Sequence, residues 1–165
     1  MKKFGKIIAA CLTSAMLVSA LSLSAFAETR IPLNEGAVLV LYDEGDTVPV
    51  QPRIARTNFS IDIPFYPDYG YVKLSTNKTS IPIGSGDSSI QFSFTKRPKK
   101  SYLGVYDVTS GKYITTGPAS AGHMDGPYNF GTNFAIEDLT GGHTYRVYMG
   151  GDYSGNSASG TLYSE

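Results

Sequence analysis

Leu139-Thr140-Gly141-Gly142-His143-Thr144-Tyr145-Arg146-Val147-Tyr148-Met149 is the stretch on which the fold turns. Its second half alternates Tyr145, Val147 and Met149 with Arg146 and Tyr148, the two-residue period of a strand with one buried face. A Gly-Gly turn signal precedes it. The same period recurs on both sides. Residues 58–63 set Phe59, Ile61 and Ile63 against Asn58, Ser60 and Asp62, and residues 88–95 carry Ile90, Phe92 and Phe94 in alternation. Residues 101–108 and 112–116 are joined by Thr109-Ser110-Gly111, a hairpin signal that predicts a left-handed Gly111. Residues 71–75 and 79–83 look like one strand broken in the middle, and 133–136, 144–149 and 158–163 complete the set. No stretch has a helical period. Seven to eight short strands at this spacing predict an all-β antiparallel sandwich over residues 58–165.

Leu139, Gly142 three residues later and Tyr145 six residues later resemble the tyrosine corner of fibronectin type III and related immunoglobulin-like domains. The resemblance spans roughly residues 70–165. It implies that Tyr145 is buried at the start of strand F, its hydroxyl on the backbone of the preceding connection. It also implies that strands C′, C and F are neighbours and that 157–163 form the last strand, G. Gly141-Gly142 stands where those domains have Pro-Gly, and the chain has no Trp to pack on strand B. A fold resemblance carries no activity with it.

Residues 1–27 read as a secretory signal peptide. Lys2, Lys3 and Lys6 form a basic start, 7–23 are uncharged and apolar or small, and Ala25 and Ala27 suit the signal peptidase pockets. A lipobox reading of Ile8-Ala9-Ala10-Cys11 fails because too little apolar chain precedes the cysteine. Cleavage removes 27 of 165 residues, with those three lysines and the lone Cys11. That leaves 138 residues, 11 basic against 14 acidic side chains, and no thiol. Such a cysteine-free exported chain resembles the secreted proteins of Gram-positive bacteria. The expectation is a freely secreted extracellular protein with no stable membrane anchor after cleavage. Residues 28–57 hold one short apolar run, 37–42, among Pro32, Pro49 and Pro52, and read as an extended arm.

Composition excludes some classes of function. Equal numbers of acidic and basic residues, 14 each, argue against a nucleic-acid binder driven by bulk charge. No Gly-x-Ser-x-Gly elbow or phosphate loop is present, so no catalytic residue is assigned and the chain is read as a non-enzyme. His123 and His143 lack zinc-ligand spacing, and His143 reads as an exposed turn residue. Asp43-Glu44-Gly45-Asp46 reads as a solvated acidic turn rather than a calcium loop. No metal or cofactor is expected.

What remains is a binding or adhesion module for an extracellular glycan or protein. The alternatives are a self-associating matrix component and, as a minority reading, a small hydrolase. Strand parity selects the surface. With Tyr145, Val147 and Met149 inward, Arg146 and Tyr148 point outward. With Leu103, Val105 and Ile114 inward, Tyr102, Tyr106 and Tyr113 join them. Those five side chains are the candidate binding face.

Overall fold

Two antiparallel sheets share one apolar core in the computed structural model, which describes residues 28–43, 55–117, 123–153 and 155–164. Strands are numbered along the chain. The first sheet contains β1 (Glu28–Pro32), β2 (Val38–Tyr42), β3 (Ala55–Ile63), β5 (Lys73–Leu74), β7 (Ile90–Lys96), β11 (Asn133–Glu137) and β13 (Asn156–Ser164). Their order is β1-β2-β11-β7-β13-β3-β5. The second sheet contains β4 (Gly70–Tyr71), β6 (Ile81–Pro82), β8 (Ser101–Asp107), β9 (Lys112–Ile114), β10 (Asp125–Tyr128) and β12 (Thr144–Gly151). Here β12 lies between β8 on one side and β4 and β6 on the other, and β8 carries β9 and β10 on its far edge.

Alternation fills the space between the sheets. Phe92 and Phe134 stack face to face, ring centroids 4.4 Å apart, and Phe59 meets Phe92 edge-on at 5.2 Å. Val105, Tyr145, Val147 and Met149 face them from the second sheet. Each such buried side chain contributes about 1.5–3 kcal/mol of apolar burial. The β8–β9 hairpin closes at the Asp107–Lys112 pair, and Gly111 takes φ +73 in its turn.

Tyr145 is fully buried between both sheets. Its hydroxyl donates to the Thr140 carbonyl at 3.1 Å and accepts from the Thr140 N–H at 3.0 Å. One side chain thus satisfies both polar groups of a peptide unit in the β11–β12 connection. Leu139 is buried beside it, its N–H on the Ser88 carbonyl at 2.8 Å. Gly142, at φ +78, donates to the Gly84 carbonyl at 2.9 Å; a Cβ there would be strained in this left-handed conformation.

The structure differs from the sequence reading at four points. The described residues hold thirteen strands, eleven of them from Ala55 on where seven or eight are expected, because two-residue strands such as β4, β5 and β6 are too short to leave a period. β5 also lies in the first sheet while β4 and β6 lie in the second, so 71–83 are not one interrupted strand. The arm is no arm over residues 28–42. A 3₁₀ turn at Asn34–Gly36 joins β1 to β2, and β2 pairs with β11 while burying Leu39 and Val40. Pro32 does not prevent this, since it ends an edge strand where no further ladder bond is needed. Finally, β13 pairs with β7 and β3 rather than with β12, whose two edges are already occupied. Residues 44–54, and 1–27 with Ala25 and Ala27, lie outside the described residues.

Replacing Tyr145 by Phe leaves the Thr140 N–H and carbonyl without their buried partner. The expected loss is about 1–3 kcal/mol of stability, read from denaturant melts. A change of a few tenths would show that the clamp contributes little.

Candidate functional site

The outer face of the second sheet carries a layer of tyrosines set by cross-strand register. Tyr71 of β4 lies opposite Tyr148 of β12, which lies opposite Gly104 of β8. In the next row, Arg146 lies opposite Tyr106, which lies opposite Tyr113 of β9. Tyr102 lies opposite Gly150.

Tyr148 has the outward parity that alternation demands, since its neighbours Val147 and Met149 are in the core. Yet it is only 2% exposed, so it is not part of an open face. The cause is Gly104, which leaves room for the Tyr148 ring to lie across β8. A Cβ at Gly104 would fall 2.1 Å from that ring. The Tyr148 hydroxyl donates to the His123 carbonyl at 2.9 Å, and Tyr69 covers the ring at 4.9 Å. Burial pushes this phenol far above its ordinary range.

The remaining expected residues form two pairs around that floor. Tyr106 and Tyr113 are half-buried, with ring centroids 4.7 Å apart. Arg146 is half-buried near them, its Nε donating to Ser80 Oγ at 3.4 Å. Tyr102 stacks on Tyr66 at 4.5 Å. Desolvation, then the charge and hydrogen bond of Asp152, raise the Tyr102 hydroxyl above its usual range.

Sequence parity misses the aromatics that are exposed. Phe65 is 59%, Tyr66 42% and Tyr69 40% exposed, all in the loop between β3 and β4, and Tyr153 is 55% exposed between β12 and β13. The signal was present in Phe65-Tyr66-Pro67-Asp68-Tyr69-Gly70-Tyr71, where aromatics crowd a turn that offers no strand face to bury them. Beside this loop lies a groove of about 520 Å³. Tyr69 and Tyr71 form its aromatic wall, and Asp62, Lys73 and Ser157 supply polar groups.

Two carboxylates are buried elsewhere. Asp107 accepts from His143 Nδ1 at 2.7 Å, from the Ser110 hydroxyl at 2.7 Å and from the Thr109 and Ser110 amides at 2.9 and 3.1 Å. His143 is therefore a half-buried partner of Asp107, not a free turn residue. Burial of Asp107 opposes ionisation, but His143 and the Ser110 hydroxyl and amide outweigh it and hold the carboxyl below its usual range. Asp125 accepts from the Thr116 amide at 3.0 Å and the Thr116 hydroxyl, and contacts His123 Nε2 at 3.2 Å. Both carboxylates are consumed by hairpin and loop closure. Among the described residues, no group of three or more His, Cys, Asp or Glu side chains could hold a metal ion.

Two outcomes follow. Gly104→Ala drives a methyl into the Tyr148 ring, and a loss of about 1–3 kcal/mol in thermal or denaturant melts is expected; an unchanged midpoint would mean the tyrosine layer yields freely. Asp107 has a lowered folded-state pKa, so its stabilisation is present above the unfolded carboxyl range, near pH 4. It is lost as pH falls through the folded value. Asp107→Asn should therefore lower stability at pH 7 by about 2 kcal/mol and flatten the acid limb of a stability–pH curve. An acid limb of unchanged steepness in the variant would remove Asp107 from that account. No known family model, curated protein or solved structure matches this chain.

Proposed function

We propose that this chain is a small secreted bacterial protein that acts as a non-catalytic glycan-binding or adhesion module. The groove beside the β3–β4 loop is the observation that carries this. It joins two adjacent aromatic rings, Tyr69 and Tyr71, to Asp62, Lys73 and Ser157 within about 520 Å³. A volume of that order suits a small ligand or a few residues of a chain. Tyrosines offer rigid area for the flat face of a sugar ring, and the polar groups at the rim can meet its hydroxyls.

Secretion is supported by the basic, apolar and small-residue sequence of 1–27. An immunoglobulin-like kinship is supported by the Tyr145 hydroxyl on Thr140 and by the adjacency of β9, β8 and β12. The placement of β13 in the opposite sheet sets this chain apart from the usual arrangement. Self-association through sheet edges is disfavoured by the edges themselves. β1 carries Glu28, Arg30 and Pro32, and β5 has two residues, one of them Lys73.

The test is a glycan and cell-wall binding screen with the chain from Glu28 onward. Asp62→Ala with Tyr69→Ala should weaken the bound glycan at least about tenfold, the loss of an aromatic contact and a hydrogen bond, while the variant still unfolds in one cooperative transition above the assay temperature. If no glycan binds, or if both substitutions leave affinity intact, the reading is wrong.

A further inference from the structure

Lys96-Arg97-Pro98-Lys99-Lys100 places four cations in five residues at the turn between β7 and β8. Overall neutrality hides this cluster. Its position in the fold gives it meaning, because three loops meet at that end of the sandwich. The Lys99 N–H donates to Asn156 Oδ1 at 3.0 Å, and Asn156 Nδ2 donates to Ser101 Oγ at 3.0 Å, which ties the basic turn to the start of β13. Gly151 at the end of β12 pairs with Ser101 and bridges to Phe65, and the Tyr66 N–H donates to the Gly151 carbonyl at 2.9 Å. The Lys99 ammonium sits 5.4 Å from the Tyr153 ring centroid.

One end of the molecule thus displays Phe65, Tyr66 and Tyr153 among Lys96, Arg97, Lys99 and Lys100, all of them exposed. The carboxylates of the same region are Asp62, Asp68 and Asp152, three against these four cations. We propose that this basic, aromatic tip docks the protein peripherally on an anionic lipid surface. Lysine and arginine side chains meet acidic headgroups, each adding to affinity. Tyrosine rings suit the headgroup level, with one apolar and one wet end. Phe65 separates a bilayer from an inorganic polyanion. Polyphosphate would be held by the cations alone and has no need of an exposed ring without a polar atom, whereas a bilayer interface takes it up. The tip adjoins the groove proposed for glycans, with Lys96 donating to Ser157 at their border, but Phe65, Lys99 and Lys100 do not line that groove, so substitutions at those three test the tip alone.

Vesicle co-sedimentation tests this with the chain from Glu28 onward, which contains every described strand and lacks the apolar leader. Vesicles of phosphatidylglycerol mixed with phosphatidylcholine are compared with phosphatidylcholine alone. Binding is expected only to the anionic vesicles, and 0.5 M salt should release much of it by shortening the screening length. Lys99→Gln with Lys100→Gln should weaken it at least about tenfold, since each cation near the surface is worth roughly fivefold. Phe65→Ser should also weaken vesicle binding, with the melting temperature unchanged for this exposed side chain. Equal binding to both vesicles, or none, overturns the proposal. So does vesicle binding that Phe65→Ser leaves intact while polyphosphate or single-stranded DNA competes it away completely, which would make the tip a soluble-polyanion site.

Discussion

The contact between Tyr145 and the Thr140 peptide unit determines where everything on β12 points. A hydroxyl held from two sides, at 3.0 and 3.1 Å, anchors the first inward residue of the strand. Because side chains alternate, a one-residue slip would turn Val147 and Met149 out of the core and drive Arg146 into it. That slip would cost several buried apolar side chains and bury an uncompensated cation. The register of β8 against β12 follows, as does the placement of Tyr148 over Gly104. The clamp is thus a local hydrogen-bonding arrangement with a consequence across the whole second sheet.

That sheet is covered on both sides. Its inner face packs on the phenylalanine cluster, and its outer face carries the layer in which Tyr69 and Tyr71 close over Tyr148. Covering a sheet twice is one way for a chain without disulfides among its described residues to gain burial. It also makes the β3–β4 loop part of the packing. Tyr69 and Tyr66 each stack on a sheet tyrosine while leaving much of their surface to solvent. A loop held this way loses little conformational freedom when a ligand arrives, which lowers the entropic cost of binding.

Much of the sheet architecture was legible because alternation is a direct physical record of which face is wet. Phe59, Ile61 and Ile63, or Ile90, Phe92 and Phe94, could occupy only one side. Tyr145 was legible because a corner needs a long side chain with a terminal hydroxyl at one fixed offset from a turn. Exposure was not legible. Parity gives the direction of Tyr148, but whether that direction ends in water depends on Gly104 and on a loop some eighty residues earlier. β2 was hidden for a related reason. Its run of apolar residues has no alternation, because Leu39 faces the core and Val40 is covered as well. The Asp107–His143 pair joins residues far apart in the chain and leaves no local signature.

The basic turn shows why composition and placement must be kept apart. Summed over the chain, fourteen positive and fourteen negative residues cancel. Fields at a surface do not sum in that way, because in physiological salt a charge is felt over roughly 8 Å. Several ion pairs among the described residues lie elsewhere: Arg30 meets Glu28 and Glu137 at the β1 edge, and Lys112 meets Glu35 near the 3₁₀ turn. The cations at 96–100 have different surroundings, with Lys96 on a serine hydroxyl and Lys99 over an aromatic ring. Neither of those two partners carries a compensating charge. The fold therefore gathers four cations into one turn of a chain whose charges cancel overall, and it sets that turn among exposed aromatic rings.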